Sequence, residues 1–369
     1  MNKNGIFAGL CTLAFASSVA SGQPAISNVT VESNNSGSQV VRISGAQFGN
    51  GPNVVLYDDF EKGSDGEDID YNNAQIGSWD GTFHGGTPRY YQQPSGNLAH
   101  RIRDHQQLLS NNYRIANLVR RFPSPETHAV IAFSVMVPDG TTFAGSSQLK
   151  TFPDRSSWKF TWLVSEFGIG NDDKFDMCLP THIGNGNFLL AGNNGNLGRM
   201  SGGDNWWSWG AYNHITSEVR IDPISPSTSP VAFSYQIVSP VAVTSEKGTQ
   251  DPSEFAGTDY QFDRILIPGW WGNGDNSNFD TLYDNVYIAV GENARARIVL
   301  TDNEIFQDST SAITLPAESW TDSRIEINAE LLPDNEVHFI HIVDSNGNMT
   351  SNGYKLCPRC ANPPTPTIQ

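Results

Sequence analysis

Short runs of apolar and β-branched residues alternate along this chain with clusters of Gly, Asn, Ser, Thr and Asp. Runs of this kind, bounded by turn residues, predict β-strands and leave little room for helices. Near the N-terminus strands are predicted over Ile26 to Val31, Val40 to Ser44 and Val54 to Tyr57, with a turn-rich connection from Gly45 to Pro52. In the C-terminal part the clearest runs are Arg295 to Leu300, Ala312 to Leu315, Arg324 to Ala329 and Val337 to Val343. Asp344-Ser345-Asn346-Gly347-Asn348 follows the last of these and carries turn chemistry. The most readable strand of the middle is His214 to Ile221. Successive side chains of a strand point to opposite faces, so Ile215, Val219 and Ile221 are expected to face a core. His214, Thr216, Glu218 and Arg220 then share the other face.

Two resemblances organise these elements. Ile43-Ser44-Gly45, Phe48-Gly49 and Pro52 to Val54 resemble the opening half of an IPT/TIG domain, an immunoglobulin-like fold. The features that usually close such a domain occur only much later, as Trp320 to Ile325 and Val343 to Gly347. Between them, Leu56 to Glu61 and Phe279 to Ile288 resemble the first and last strands of concanavalin-like jelly rolls, as do Trp209 to Asp222 and Arg264 to Trp270. The expectation is an all-β chain: a jelly-roll β-sandwich (57–293) inserted into a split immunoglobulin-like sandwich (23–56 and 294–356). Residues 1–22 and 357–369 are expected to be a signal peptide and a Cys/Pro-rich tail. The jelly-roll superfamily holds lectins, glucanases, polysaccharide lyases and inert modules, so it settles no function.

Charge and targeting narrow the field. Lys3, an apolar run from Ile6 to Ala16 and small residues through Gly22 have the order of a secretory signal, with cleavage expected after Ala20 or Gly22. The run is too short to span a bilayer, no later segment is long and apolar enough to do so, and Leu10 before Cys11 is not the small residue a lipoprotein signal needs. A secreted or cell-surface protein is therefore expected. A net charge of −17 argues against nucleic acid, whose phosphates require basic patches. Of the four cysteines, Cys357 and Cys360 are expected to form a local disulfide, with a bridge to Cys178 as the alternative.

Candidate chemistry lies in the expected insertion. Trp206, Trp207, Trp209 and Tyr212, with Trp270 and Trp271, sit beside Asn- and Asp-rich turns. Such a set suits the stacking and hydroxyl bonding that sugars need, or the packing of loops over a sandwich. His214, Glu218 and Arg220 in one row could bind a sugar acid and abstract a proton from it, or Glu218 and Arg220 could form an ordinary ion pair. Thr216 to Arg220 partly resembles the Arg-Thr-Glu-Leu-Arg strand of one alginate lyase family, but Thr216 replaces its first Arg and no later strand supplies its Tyr. No catalytic role carries over. The jelly-roll resemblance implies a structural calcium near the terminal strands, where Asp58, Asp59 and Asp284 lie. His84, His100, His105, Arg101 and Arg103 form an expected basic, titratable patch. The leading expectation is a glycan-binding protein. A lyase of acidic polysaccharides and a self-assembling structural subunit are the alternatives.

Overall fold

A computed structural model describes residues 22–33, 38–83, 86–103, 116–137, 157–165, 176–183, 187–192, 195–199, 207–251, 261–268, 270–272, 280–333 and 337–356. Its regular structure is almost wholly strand. In chain order come β1 (Ala25–Ser33), β2 (Gln39–Ala46), β3 (Asn53–Asp58), β4 (Arg89–Gln92), β5 (Leu98–Arg103), β6 (Leu118–Glu126) and β7 (His128–Met136). Next are β8 (Ser157–Lys159), β9 (Trp162–Val164), β10 (Asp176–Ile183), β11 (Asn187–Gly192), β12 (Gly195–Arg199), β13 (Tyr212–Arg220), β14 (Val231–Val238) and β15 (Val243–Gln250). The chain continues with β16 (Phe262–Ile267), β17 (Trp270–Gly272), β18 (Asp280–Val290), β19 (Arg297–Thr301) and β20 (Ala312–Leu315). It ends with β21 (Ser319–Thr321), β22 (Arg324–Asn328), β23 (His338–Val343) and β24 (Tyr354–Leu356).

Two large sheets form one sandwich. One has the order β15-β14-β13-β7-β18-β5-β4, with β3 also on β18; the other runs β12-β11-β10-β9-β16-β6, with β8 and β17 beside it. The core between them takes Ile131, Phe133, Ile215, Val219, Tyr283 and Ile288 from the first sheet and Leu163, Phe262 and Ile265 from the second. Ile215, Val219 and Ile221 therefore face the core that the alternation of the sequence assigned to them. The strands flanking the expected insertion lie side by side, with Leu56 opposite Ile288 and Tyr57 opposite Tyr287.

Two four-stranded sheets, β1-β2-β22-β21 and β20-β19-β23-β24, enclose a second core. Strand β2 pairs with β22, so Ile43 lies opposite Ile325 across most of the sequence. Both sheets bury isoleucines in this core: Ile43, Ile325 and Ile327 from the first, Ile298, Ile340 and Ile342 from the second. The same cluster includes Tyr57, Val130, Ala132, Tyr287 and Ala289 from the outer face of the large sheet. Strand β7 is thus buried on both faces. That is why its sequence, His-Ala-Val-Ile-Ala-Phe-Ser-Val-Met, is nearly continuous in apolar residues rather than alternating. Among the described residues no helix is long and apolar enough to cross a membrane.

Candidate functional site

The outer face of the large sheet changes character from rung to rung. Reading across β7, β13, β14 and β15, one rung is Ser134, His214, Val238 and Val243. The next is Ala132, Thr216, Gln236 and Ser245, and the third is Val130, Glu218, Ser234 and Lys247. The first rung is closed over. Val238 packs with Val299, Phe306 and Val343 of the smaller sandwich, and Val243 adds to that cluster. The other two rungs floor a cleft of about 590 Å³. Arg295, Arg297, Asn346 and Gly347 of the smaller sandwich form its opposite wall. Gly347 has φ +88°, a conformation that suits glycine in the tight turn bringing Asn346 to the cleft.

Glu218 is the anchor of this cleft. Its Oε1 lies 3.0 Å from His128 Nε2 and accepts from Arg295 Nε at 2.6 Å. Ser234 Oγ donates to its other oxygen at 3.4 Å. Burial alone would raise the pKa of this carboxyl, but the His128 hydrogen bond and the Arg295 guanidinium outweigh burial and hold it at about 2. Arg295 also donates through Nη1 to the Asn346 carbonyl at 3.2 Å. Glu218 therefore ties the large sheet to the smaller sandwich.

The expected row of His214, Glu218 and Arg220 does share one face, but it is not the open row the sequence suggested. His214 is buried, with Nε2 3.0 Å from Thr314 Oγ1 on β20 and Nδ1 3.3 Å from Ser134 Oγ. Burial, assisted by the charge of Arg297, pushes its pKa down to about 3. Arg220 is exposed at the end of β13, and Glu218 pairs with Arg295 and His128 instead of with it. The cause is tertiary: strands more than seventy residues further along the chain fold over the row.

The aromatic platform also differs from expectation. Trp207 is only 3% exposed and stacks in the core against Phe160, with ring centroids 5.4 Å apart. Trp209 packs edge-on to it, and Tyr212 is half-buried against Ala99 and Leu282. Trp207 and Trp209 belong to the sandwich core, whereas Tyr212 lies on the outer face of the sheet, two residues before His214. Trp206 lies outside the described residues, as do the side chains of Trp270, Trp271 and Cys178. Cys357 and Cys360 are likewise outside them.

At the other end, Asp58 accepts from Phe60 N at 2.9 Å and from Trp79 Nε1 at 2.6 Å, one bond on each oxygen. Burial pushes its pKa up to about 6. Asp59 accepts from Glu61 N, and Asp284 is buried with Asn285 N on its carboxylate. Among the described residues no three Asp, Glu, His or Cys side chains converge as a metal-holding group. The basic patch is corrected too. His100 is buried against Phe60, and burial pushes its pKa down to about 4, so it is no surface cation. Arg101 lies over the Tyr91 ring at 4.7 Å. His84 and His105 are outside the described residues.

The sequence named Glu218 and Thr216 but missed the rest of the cleft. Ser234 and Gln236 alternate with the core residues Phe233, Tyr235 and Ile237 on β14, a signal that the period of two could have exposed, whereas Ser245 and Lys247 on β15 carry no such alternation. Nothing local marks Arg295 and Arg297 as their neighbours.

No family model matches this chain, and no curated protein does. Several solved structures are similar. An alginate lyase from Aplysia kurodai is 11% identical, with 55% of this chain and 87% of that one covered at a TM-score of 0.40. An endo-β-1,4-glucuronan lyase from the fungus Trichoderma reesei is 11% identical, with 65% and 97% covered at 0.33. Arcelin-5, a lectin-like defence protein from Phaseolus vulgaris, is 8% identical, with 55% and 90% covered at 0.32. Likeness at this level establishes neither a family nor an activity, and the all-β sandwich stands on the sheets themselves.

Proposed function

We propose that this protein binds a glycan in the cleft between β13–β15 and the Arg295–Arg297 edge. The observation that carries the proposal is the pair of polar rungs facing a guanidinium wall. Thr216, Gln236, Ser245 and Ser234 offer hydroxyl and amide groups in a regular array, the chemistry that matches a polyhydroxylated ligand. The cleft volume lies within the range of small-ligand sites. The N-terminal pattern supports an extracellular setting for such binding.

The named candidates fit a lyase less well. A general base works best with a pKa near the operating pH. His214 is buried away from the cleft with its pKa lowered to about 3, and Glu218 is held at about 2. Neither is poised to take a proton from a sugar carbon at neutral pH.

Retention of the full chain on a panel of immobilised polysaccharides tests the proposal. At least one polysaccharide should retain the wild type, and Ser234→Trp, which fills the cleft floor, should abolish retention. Gln236→Ala should weaken it about tenfold, the loss of roughly one hydrogen bond. No retention on any polysaccharide, or full retention by Ser234→Trp, overturns the proposal. Release of unsaturated ends from a retained polymer would establish the lyase alternative instead.

A further inference from the structure

The two arginines of the cleft wall are held differently. Arg295 gives Nε to Glu218 and Nη1 to the Asn346 carbonyl. Arg297 gives Nη1 to the Arg295 carbonyl at 2.9 Å, while its Nε is buried without a hydrogen-bond partner. Among the described residues Arg297 makes no ion pair, although Arg42, Arg89, Arg120, Arg264, Arg295 and Arg324 each do. Burial works against its charge, and the Glu218 carboxylate offsets only part of that. A buried guanidinium nitrogen whose hydrogen bond is unmet is costly.

The balance of charge points the same way. The cleft is lined by three cations, Arg295, Arg297 and Lys247, and by two carboxylates, Glu218 and Glu246. Glu218 is already occupied by His128 and Arg295. In a chain of net charge −17, this leaves a local excess of positive charge facing a cavity.

We propose that Arg297, with Lys247 on β15, forms an oxyanion subsite of the cleft that receives a sulfate, phosphate or carboxylate group carried by the ligand. The planar guanidinium fork can hold two oxygens of such a group at once, and the mobile lysine adds a point charge. That the anion is borne by a saccharide rests on the glycan-binding reading; the anion subsite itself does not.

Calorimetric titration of the full chain separates the two. The ligands are inorganic sulfate and three oligosaccharides of equal length: sulfated, uronate-bearing and neutral. At least one charged oligosaccharide should bind tenfold or more tightly than the neutral one, and whichever does so identifies the source of the oxyanion. Arg297→Gln should erase that preference, while Arg297→Lys should restore part of it. A neutral oligosaccharide bound as tightly as both charged ones, or a preference that survives Arg297→Gln, overturns the subsite and leaves glycan binding standing. Sulfate binding lost in Arg297→Gln, with no oligosaccharide bound, supports the subsite and overturns glycan binding. No binding of any ligand overturns both. Should Arg297→Gln fail to fold, Lys247→Ala on the exposed side decides: a tenfold loss for the charged ligands supports the subsite, and unchanged affinity overturns it.

Discussion

Burial between two sheets holds His214 neutral, with hydroxyls of Ser134 and Thr314 on its two nitrogens. Its pKa falls from 6.5 to about 3. Between those values the unfolded chain takes up a proton that the folded chain refuses, so stability falls as pH drops through this window. By roughly pH 4 the loss from this residue should reach about 3 kcal/mol. Chemical denaturation of wild type and His214→Gln from neutral pH down to pH 4 checks this: the variant should lose less stability over the range. Parallel losses would remove His214 as the cause. The comparison cancels Glu218, whose lowered pKa also costs stability in acid, and Asp58, whose raised pKa acts in the opposite sense. The face of His214 was readable from alternation, but its burial was not, because Thr314 lies a hundred residues away.

Strand β7 is the element most constrained by the architecture. Ile131 points into the large core, while Val130 points into the core shared with the smaller sandwich. Ile131→Ala should cost about 2–5 kcal/mol through the cavity it leaves. Tyr287→Ala, which empties the shared core from the neighbouring β18, should cost about 3–5 kcal/mol. Urea denaturation measures both. A Tyr287→Ala cost below about 1 kcal/mol would mean that face is not closed. The strands at 40–44, 54–57, 312–315 and 324–329 were legible because each shows apolar residues between turn signals. Strand β13 was legible from its alternation. The tryptophans misled, because an aromatic cluster beside polar turns reads the same whether its rings cover a core or face water. Burial of Trp207 against Phe160 decided that question.

At the scale of the molecule, one apolar cluster joins Val41 and Ile325 of the smaller sandwich to Tyr57, Val130 and Tyr287 of the larger. The Glu218–Arg295 and His214–Thr314 contacts cross the same boundary. A shared core predicts that the two sandwiches unfold together. Hydrogen exchange under rising denaturant should expose the amides of β2 and β22 in the same step as those of β7 and β13, and two separated steps would refute the coupling. The sequence by itself determined the all-β class, several strands of the smaller sandwich and the inward face of β13, since alternation and turn chemistry act over a few residues. Only the tertiary structure decided which polar residues stay open. Whether Glu218 meets water, Arg220 or Arg295 depends on how strands far apart in the chain pack. The same packing buries His214 one rung away and leaves the cleft over Ser234 and Gln236.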